Sequence, residues 1–160
     1  MLKIDLHLHT VASGHAYNTI LEYINHAKKL KMKIIGISDH GPGSGELSEI
    51  YFKCLRRIPR FVDKVMILRG IEANIINEKG DIDISDKVIK RLDYVMANFH
   101  EETPYNNLGI EKNTAALIKT IKSGKIKIIS HPFYNKAAPV DMRPVSEEAC
   151  KKDVLLEITA

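Results

Sequence analysis

Sulfur chemistry is almost absent from this chain. Its two cysteines, Cys54 and Cys150, lie far apart without a CxxC spacing, which excludes both a thiolate zinc site and a disulfide framework. The opening MLKIDLHLHT lacks the apolar stretch of a secretion signal, and no apolar run approaches the ~20 residues that span a bilayer. Together these absences predict a reduced, cytoplasmic protein. No repeat, low-complexity tract or linker interrupts the sequence, so residues 1–160 are expected to form one domain. No serine, cysteine or histidine takes up an arrangement that demands a covalent intermediate. Nor is there a basic stripe interleaved with aromatics for tracking a nucleic acid strand.

What is present is ordinarily globular, with 44% hydrophobic and 28% charged residues. The net charge of +4 comes largely from lysines on predicted helix faces, among them Lys28, Lys29, Lys31, Lys119 and Lys122. Solvation accounts for them, though they also suit an anionic substrate. Apolar runs predict strands over 3–8, 33–38, 65–68, 93–98, 126–130 and 154–158. Helical periodicity predicts helices near 19–31, 47–57, 85–91, 111–123 and 144–152. Thr19 and Glu22 have the spacing of a capping box, and Gly124 marks a helix end. The segment around Gly80 reads as a small β-hairpin excursion. Strands alternating with helices imply a parallel sheet covered by helices. An open doubly wound sheet gathers ligands at a switch point served by few strands. Here five of six strands deliver chemistry from their C-terminal ends, which favours a (β/α) barrel.

That chemistry is imidazole. Six of seven histidines, His7, His9, His15, His40, His100 and His131, stand where a predicted strand ends or just beyond. The carboxylate of Glu72 follows the strand VMILRGI. Neutral imidazole with carboxylate is the ligand set of Zn²⁺ and related divalent ions, so the pattern predicts a multinuclear metal centre. His7 and His9 are two apart on a strand and share a face. Asp5 is in phase with them and can accept the second ring N–H of a ligand histidine. His15 and His40 can hold a metal distinct from the one on the HxH pair. Glu72 has two oxygens and can bridge two cations. Asp39 either supports a ligand or opens the following helix. Asn98 shares the phase of His100 and is expected deeper. His26, off the apolar stripe of its helix, reads as a surface residue.

The ordered motifs DLHLHT, SDHG, GIEAN, NFHE and SHP resemble the PHP (polymerase and histidinol phosphatase) family, in particular its small stand-alone phosphatases. The resemblance covers essentially the whole chain. It implies an α/β fold of the distorted (β/α)₇ barrel type with a trinuclear, usually zinc, centre that hydrolyses phosphate esters. By the same resemblance His7 and His9 bind the first metal, Glu72 bridges first and second, His100 and His131 complete the second, and His15 with His40 hold the third. Manganese or iron are the alternatives to zinc. The family pattern ends with an Asp-x-His element on the last strand, and this sequence carries none after LLEITA. The expectation is therefore a barrel incomplete after about its sixth strand. The expected activity is hydrolysis of a small phosphomonoester by hydroxide derived from a metal-bound water. Two other readings are a non-catalytic metal-binding or interaction module left without its last ligands, and an amidohydrolase-like metal hydrolase. The latter calls for a strand lysine between its metals, and no lysine here ends a strand in that way.

Overall fold

Local signals set the helices. In a computed structural model that describes residues 3–101, 103–134 and 136–158, α1 (Ile20–Lys29) opens on the expected capping box. Thr19 N donates to Glu22 Oε2 at 2.7 Å and Glu22 N to Thr19 Oγ1 at 3.3 Å. Ile24 and Ala27 of its apolar stripe are buried, while Leu30 lies beyond the helix end and is exposed. The helix α4 (Ile110–Lys122) stops before Gly124, whose φ of +71° supplies the left-handed turn expected there. The remaining helices are α2 (Glu49–Cys54), α3 (Asp86–Ile89) and α5 (Met142–Lys152).

The strands are β1 (Ile4–Leu8), β2 (Ile34–Ile37), β3 (Phe61–Val62), β4 (Val65–Arg69), β5 (Glu72–Asn74), β6 (Met96–Asn98), β7 (Ile128–Ile129) and β8 (Leu155–Leu156). They form two four-stranded sheets, β1-β2-β4-β3 and β5-β6-β7-β8. Every pairing of these strands is parallel except β3 with β4. The chain is thus a mixed α/β fold with parallel sheets, as the strand–helix alternation implies.

Between the sheets the chain passes through Gly70 and Ile71 without leaving the hydrogen-bond ladder. Gly70 N donates to Ile37 O at 2.7 Å, and Met96 N donates to Ile71 O at 2.9 Å. β4 leans on β2, β5 leans on β6, and a kinked strand joins the two sheets into one arc. Among the described residues no backbone pairing closes β1 onto β8.

The kink accommodates Tyr94, which is 8% exposed and donates from its hydroxyl to Leu6 O at 2.5 Å. A methyl group added at Gly36 or Gly70 would collide with its ring. Gly70→Ala should therefore destabilise the protein by about 1–3 kcal/mol through overpacking, measured as a lower urea midpoint. An unchanged midpoint would show that the ring has room to move.

One element differs from the sequence expectation. The two-residue β3 was not expected, and it pairs with β4 across a turn in which Asp63 takes φ +53°. The excursion around Gly80 is a small antiparallel one, as expected: Ile75 bridges Ile82, Ile76 N donates to Asp81 O at 2.9 Å and Asp83 N to Asn74 O at 3.1 Å. Thr120 Oγ1 on α4 donates to Gly80 O at 3.0 Å, which fastens its turn to a helix. No helix among the described residues is long and apolar enough to cross a membrane.

At the end of β4 that carries Arg69, Asp93 pairs with Arg60 and accepts from Arg69 N at 2.7 Å. Burial opposes the charge on Asp93, but the guanidinium of Arg60 and the N–H of Arg69 outweigh it and lower the carboxyl pKa. A lowered folded-state pKa gives stability that is present above the unfolded value of about 3.9 and is lost as pH falls through the folded value. Asp93→Asn should thus cost about 0.5–1 kcal/mol near neutrality, since the pair is partly solvated. The difference from wild type should close on acidification, as pH falls through the lowered folded-state value. A cost that grew in acid, in urea titrations at both pH values, would contradict this sign.

Candidate metal centre

Glu72 is the hub. It follows β4, as expected, and is itself the first residue of β5, completely buried. Its backbone bridges to His40 in parallel register, which brings the end of β2 against it. Oε2 lies 3.2 Å from His7 Nε2, 3.1 Å from His9 Nε2 and 3.2 Å from His40 Nδ1. Oε1 lies 3.1 Å from His100 Nε2 and 2.9 Å from His131 Nε2. His15 is exposed and joins from the loop after β1, with its ring 4.9 Å from that of His9 and 5.1 Å from that of His40. Its Nδ1 donates to Ser13 O at 3.1 Å, which leaves Nε2 as the basic atom. The six strand-end histidines and Glu72 thus meet at one place. His26 stays apart, exposed on α1.

The supports are partly different from those expected. The carboxylate of Asp5 turns to the backbone instead of a ring nitrogen; Oδ1 accepts from His7 N at 3.1 Å. The ring of His7 is held by Glu157, whose Oε1 is 2.8 Å from His7 Nδ1 and whose Oε2 accepts from His131 N at 2.7 Å. Glu157 lies just past β8, so this contact spans the two ends of the strand arc. Asp39 neither opens a helix nor meets a histidine ring. Buried, it accepts from Thr10 N at 2.5 Å, Thr10 Oγ1 at 3.0 Å and Tyr51 OH at 2.5 Å, and so fixes the loop after β1. Asn98 lies deep, as its phase suggests: it is fully buried, donates to Ser130 O at 2.5 Å and stands 3.3 Å from His131 Nδ1. Asn74 was missed. It is buried, and its Oδ1 is 2.7 Å from His100 Nδ1. Its signal was available, since it follows Glu72 by two residues and shares its face. Tyr23, also missed, donates to His9 O at 2.8 Å. His131 holds φ at +30° directly before Pro132, a strained backbone at the site.

Charge is distributed unevenly. Burial opposes ionisation of Glu72, but the close imidazoles of His100, His131, His7 and His9 hold its carboxyl well below the ordinary range. Burial also works against a charged His7, yet Glu157 and Glu72 outweigh it and raise its pKa to about 10. His40 goes the other way, to about 3, driven by burial and by the imidazoles of His100, His9 and His15 against the pull of Glu72. His40 is thus a neutral base ready to donate a lone pair.

The donor atoms fit divalent metal. His9 Nδ1, His40 Nδ1, His100 Nε2 and Glu72 Oε2 are buried and have no hydrogen-bond partner of acceptable geometry, although ring nitrogens stand within 3.2 Å of the Glu72 carboxylate. Buried polar atoms that approach without bonding are costly unless a cation takes their lone pairs. Three groups have donor atoms within 4.8 Å of one another: His7–His9–Glu72, His40–Glu72–His100 and His9–His15–His40. Beside them opens a cavity of about 720 Å³, with His15, His40, His100 and His131 on one side and Glu46, Tyr134 and Lys136 among its other walls.

A sequence model described as PHP domain matches residues 5–155. A probable phosphatase of Proteus mirabilis is 47% identical over 159 residues, which cover 99% of this chain and 64% of the relative. A probable phosphatase of Shewanella piezotolerans is 46% identical over 156 residues, covering 97% of this chain and 62% of the relative. The chain spans just under two thirds of the length of these relatives.

Proposed function

The chain belongs to the PHP domain family, and from that membership and the geometry of its site we propose that it carries the centre of a metal-dependent phosphatase acting on small phosphomonoesters. The observation that carries this reading is the buried Glu72 carboxylate with five imidazole nitrogens at 2.9–3.2 Å. Imidazole and carboxylate suit zinc, with manganese or iron as alternatives. The three donor groups named above would hold up to three ions, and His131 adds a nitrogen beside Glu72 Oε1. Bound there, divalent cations offset charge on phosphoryl oxygens and bring the pKa of water towards ~7.

The protein's own groups do the positioning. Glu157 fixes the ring of His7, Asn74 that of His100, and Ser13 O that of His15. Glu72 supplies an anion shared by groups on both sheets. The cavity admits a small ester, and Lys136 on its wall offers a cation to a phosphate. The strand arc, with His7 and Glu157 in contact across its ends, is compatible with the distorted seven-stranded barrel of the family.

An aryl phosphate tests the reading. Zinc- or manganese-loaded protein should hydrolyse it, and exhaustive chelation should abolish turnover until metal is returned. Hydrolysis that survives chelation, or amide hydrolysis with none of phosphate, would overturn the proposal.

A further inference from the structure

Asp83 belongs to none of the metal-binding groups, yet it is wired to one of them. Three N–H groups converge on its carboxylate. Gly43 N donates to Oδ2 at 2.6 Å, Asn74 N to Oδ1 at 2.9 Å, and Asn74 Nδ2 to Oδ2 at 2.5 Å. The same Asn74 Nδ2 also donates to Gly41 O at 3.2 Å. Ionised carboxylate and carbonyl oxygens only accept, so the NH₂ of Asn74 has to face Asp83 and Gly41. Its Oδ1 is thereby turned the other way, to 2.7 Å from His100 Nδ1. An amide oxygen also only accepts, so His100 must carry its proton on Nδ1. Nε2 is left as a bare lone pair, buried, without a hydrogen-bond partner and 3.1 Å from Glu72 Oε1.

We propose that Asp83 is a positioning residue which, through the amide of Asn74, fixes the tautomer of His100 and presents its Nε2 to the metal centre. The consequence for metal affinity rests on the function proposed above; the tautomer does not. The same carboxylate also holds the glycine-rich loop that begins next to His40. A methyl group at Gly41 would collide with both Asp83 oxygens, and one at Gly43 would lie 2.9 Å from Oδ2. Glycine lets the backbone come this close. Asp83 therefore ties together the segments that carry His40 and His100, two members of one donor group.

The alternative is that Asp83 only braces the loop, and the two roles separate in a double-mutant cycle. Imidazole ¹⁵N spectra of the metal-free full chain at pH 8 should show wild-type His100 as the Nδ1–H tautomer. Asp83→Ala and Asn74→Ala should each shift it towards Nε2–H and weaken zinc binding about 10–100-fold, the usual size of a support lost behind a ligand. The double variant should lose less zinc affinity than the sum of the two single losses, because the part of the Asp83 effect that reaches His100 runs through Asn74. Asp83→Asn, which can keep an acceptor on Asn74 Nδ2, should retain the tautomer. Wild-type His100 found as Nε2–H, or additive losses in the double variant, would overturn the proposal. If Asp83→Ala fails to fold, the wild-type tautomer and the pair Asp83→Asn and Asn74→Ala decide by the same criteria. A wild-type chain that binds no zinc but shows the expected tautomer pattern supports the positioning role and overturns the metal reading instead.

Discussion

Glu72→Gln should lower zinc affinity by ~10³-fold and leave the chain folded. Glutamine keeps the volume of a residue that is completely buried, so no cavity opens. What disappears is the anion in contact with both His7 and His100. Each imidazole near it serves one oxygen, whereas Glu72 offers Oε2 to His7, His9 and His40 and Oε1 to His100 and His131. Removing His7, His15 or His100 weakens one group and removing His9 or His40 weakens two, but only removing the Glu72 charge takes the carboxylate from both groups that contain one. The substituted amide would also present an NH₂ donor where a lone pair is required. Metal analysis after gel filtration and a thermal melt of the metal-free variant measure the two halves of this expectation. Stoichiometric zinc retained by Glu72→Gln would remove Glu72 from its central place.

The same particulars explain what was legible in the sequence. Helix ends were, because a capping box and a C-terminal glycine act within a few residues. The seven convergent side chains were, because an imidazole at a strand end is visible one strand at a time. The close approach of Gly70 to Tyr94 was not, since that ring arrives from a distant segment. Two-residue β3 is too short for any periodicity. Asn74 and Glu157 could have been found by asking of amides and carboxylates the question asked of histidines. Asp83 was only half legible: the excursion around Gly80 sets it opposite Asn74, but only tertiary structure brings it to Gly43. Asp5 shows the converse, a residue in phase whose carboxylate turns back to its own strand's backbone.

Zinc should raise the melting temperature by roughly 8–16 °C, and the ions should leave in a definite order. A ligand that binds only the folded state, at a thousand times its Kd, stabilises by about 4 kcal/mol. For a chain of this size each kcal/mol is worth about 2–4 °C. The metal-free centre keeps four buried polar atoms without hydrogen-bond partners, and metal relieves that cost. Order follows from charge and exposure. The His9–His15–His40 group has no carboxylate, His15 is exposed, and His9 and His40 are each shared with another group. An ion there would be held by imidazoles alone and should leave first under a competing chelator, with little loss of melting temperature. The two groups containing Glu72 should empty later and carry most of the thermal shift, since Glu72 joins the ends of β2 and β6 through His40 and His100. His15→Ala should therefore delete the first release step and leave the later ones in place. If His15→Ala instead abolished the tightest ion, a further anionic group would have to complete that site, and the ranking by carboxylate would be wrong.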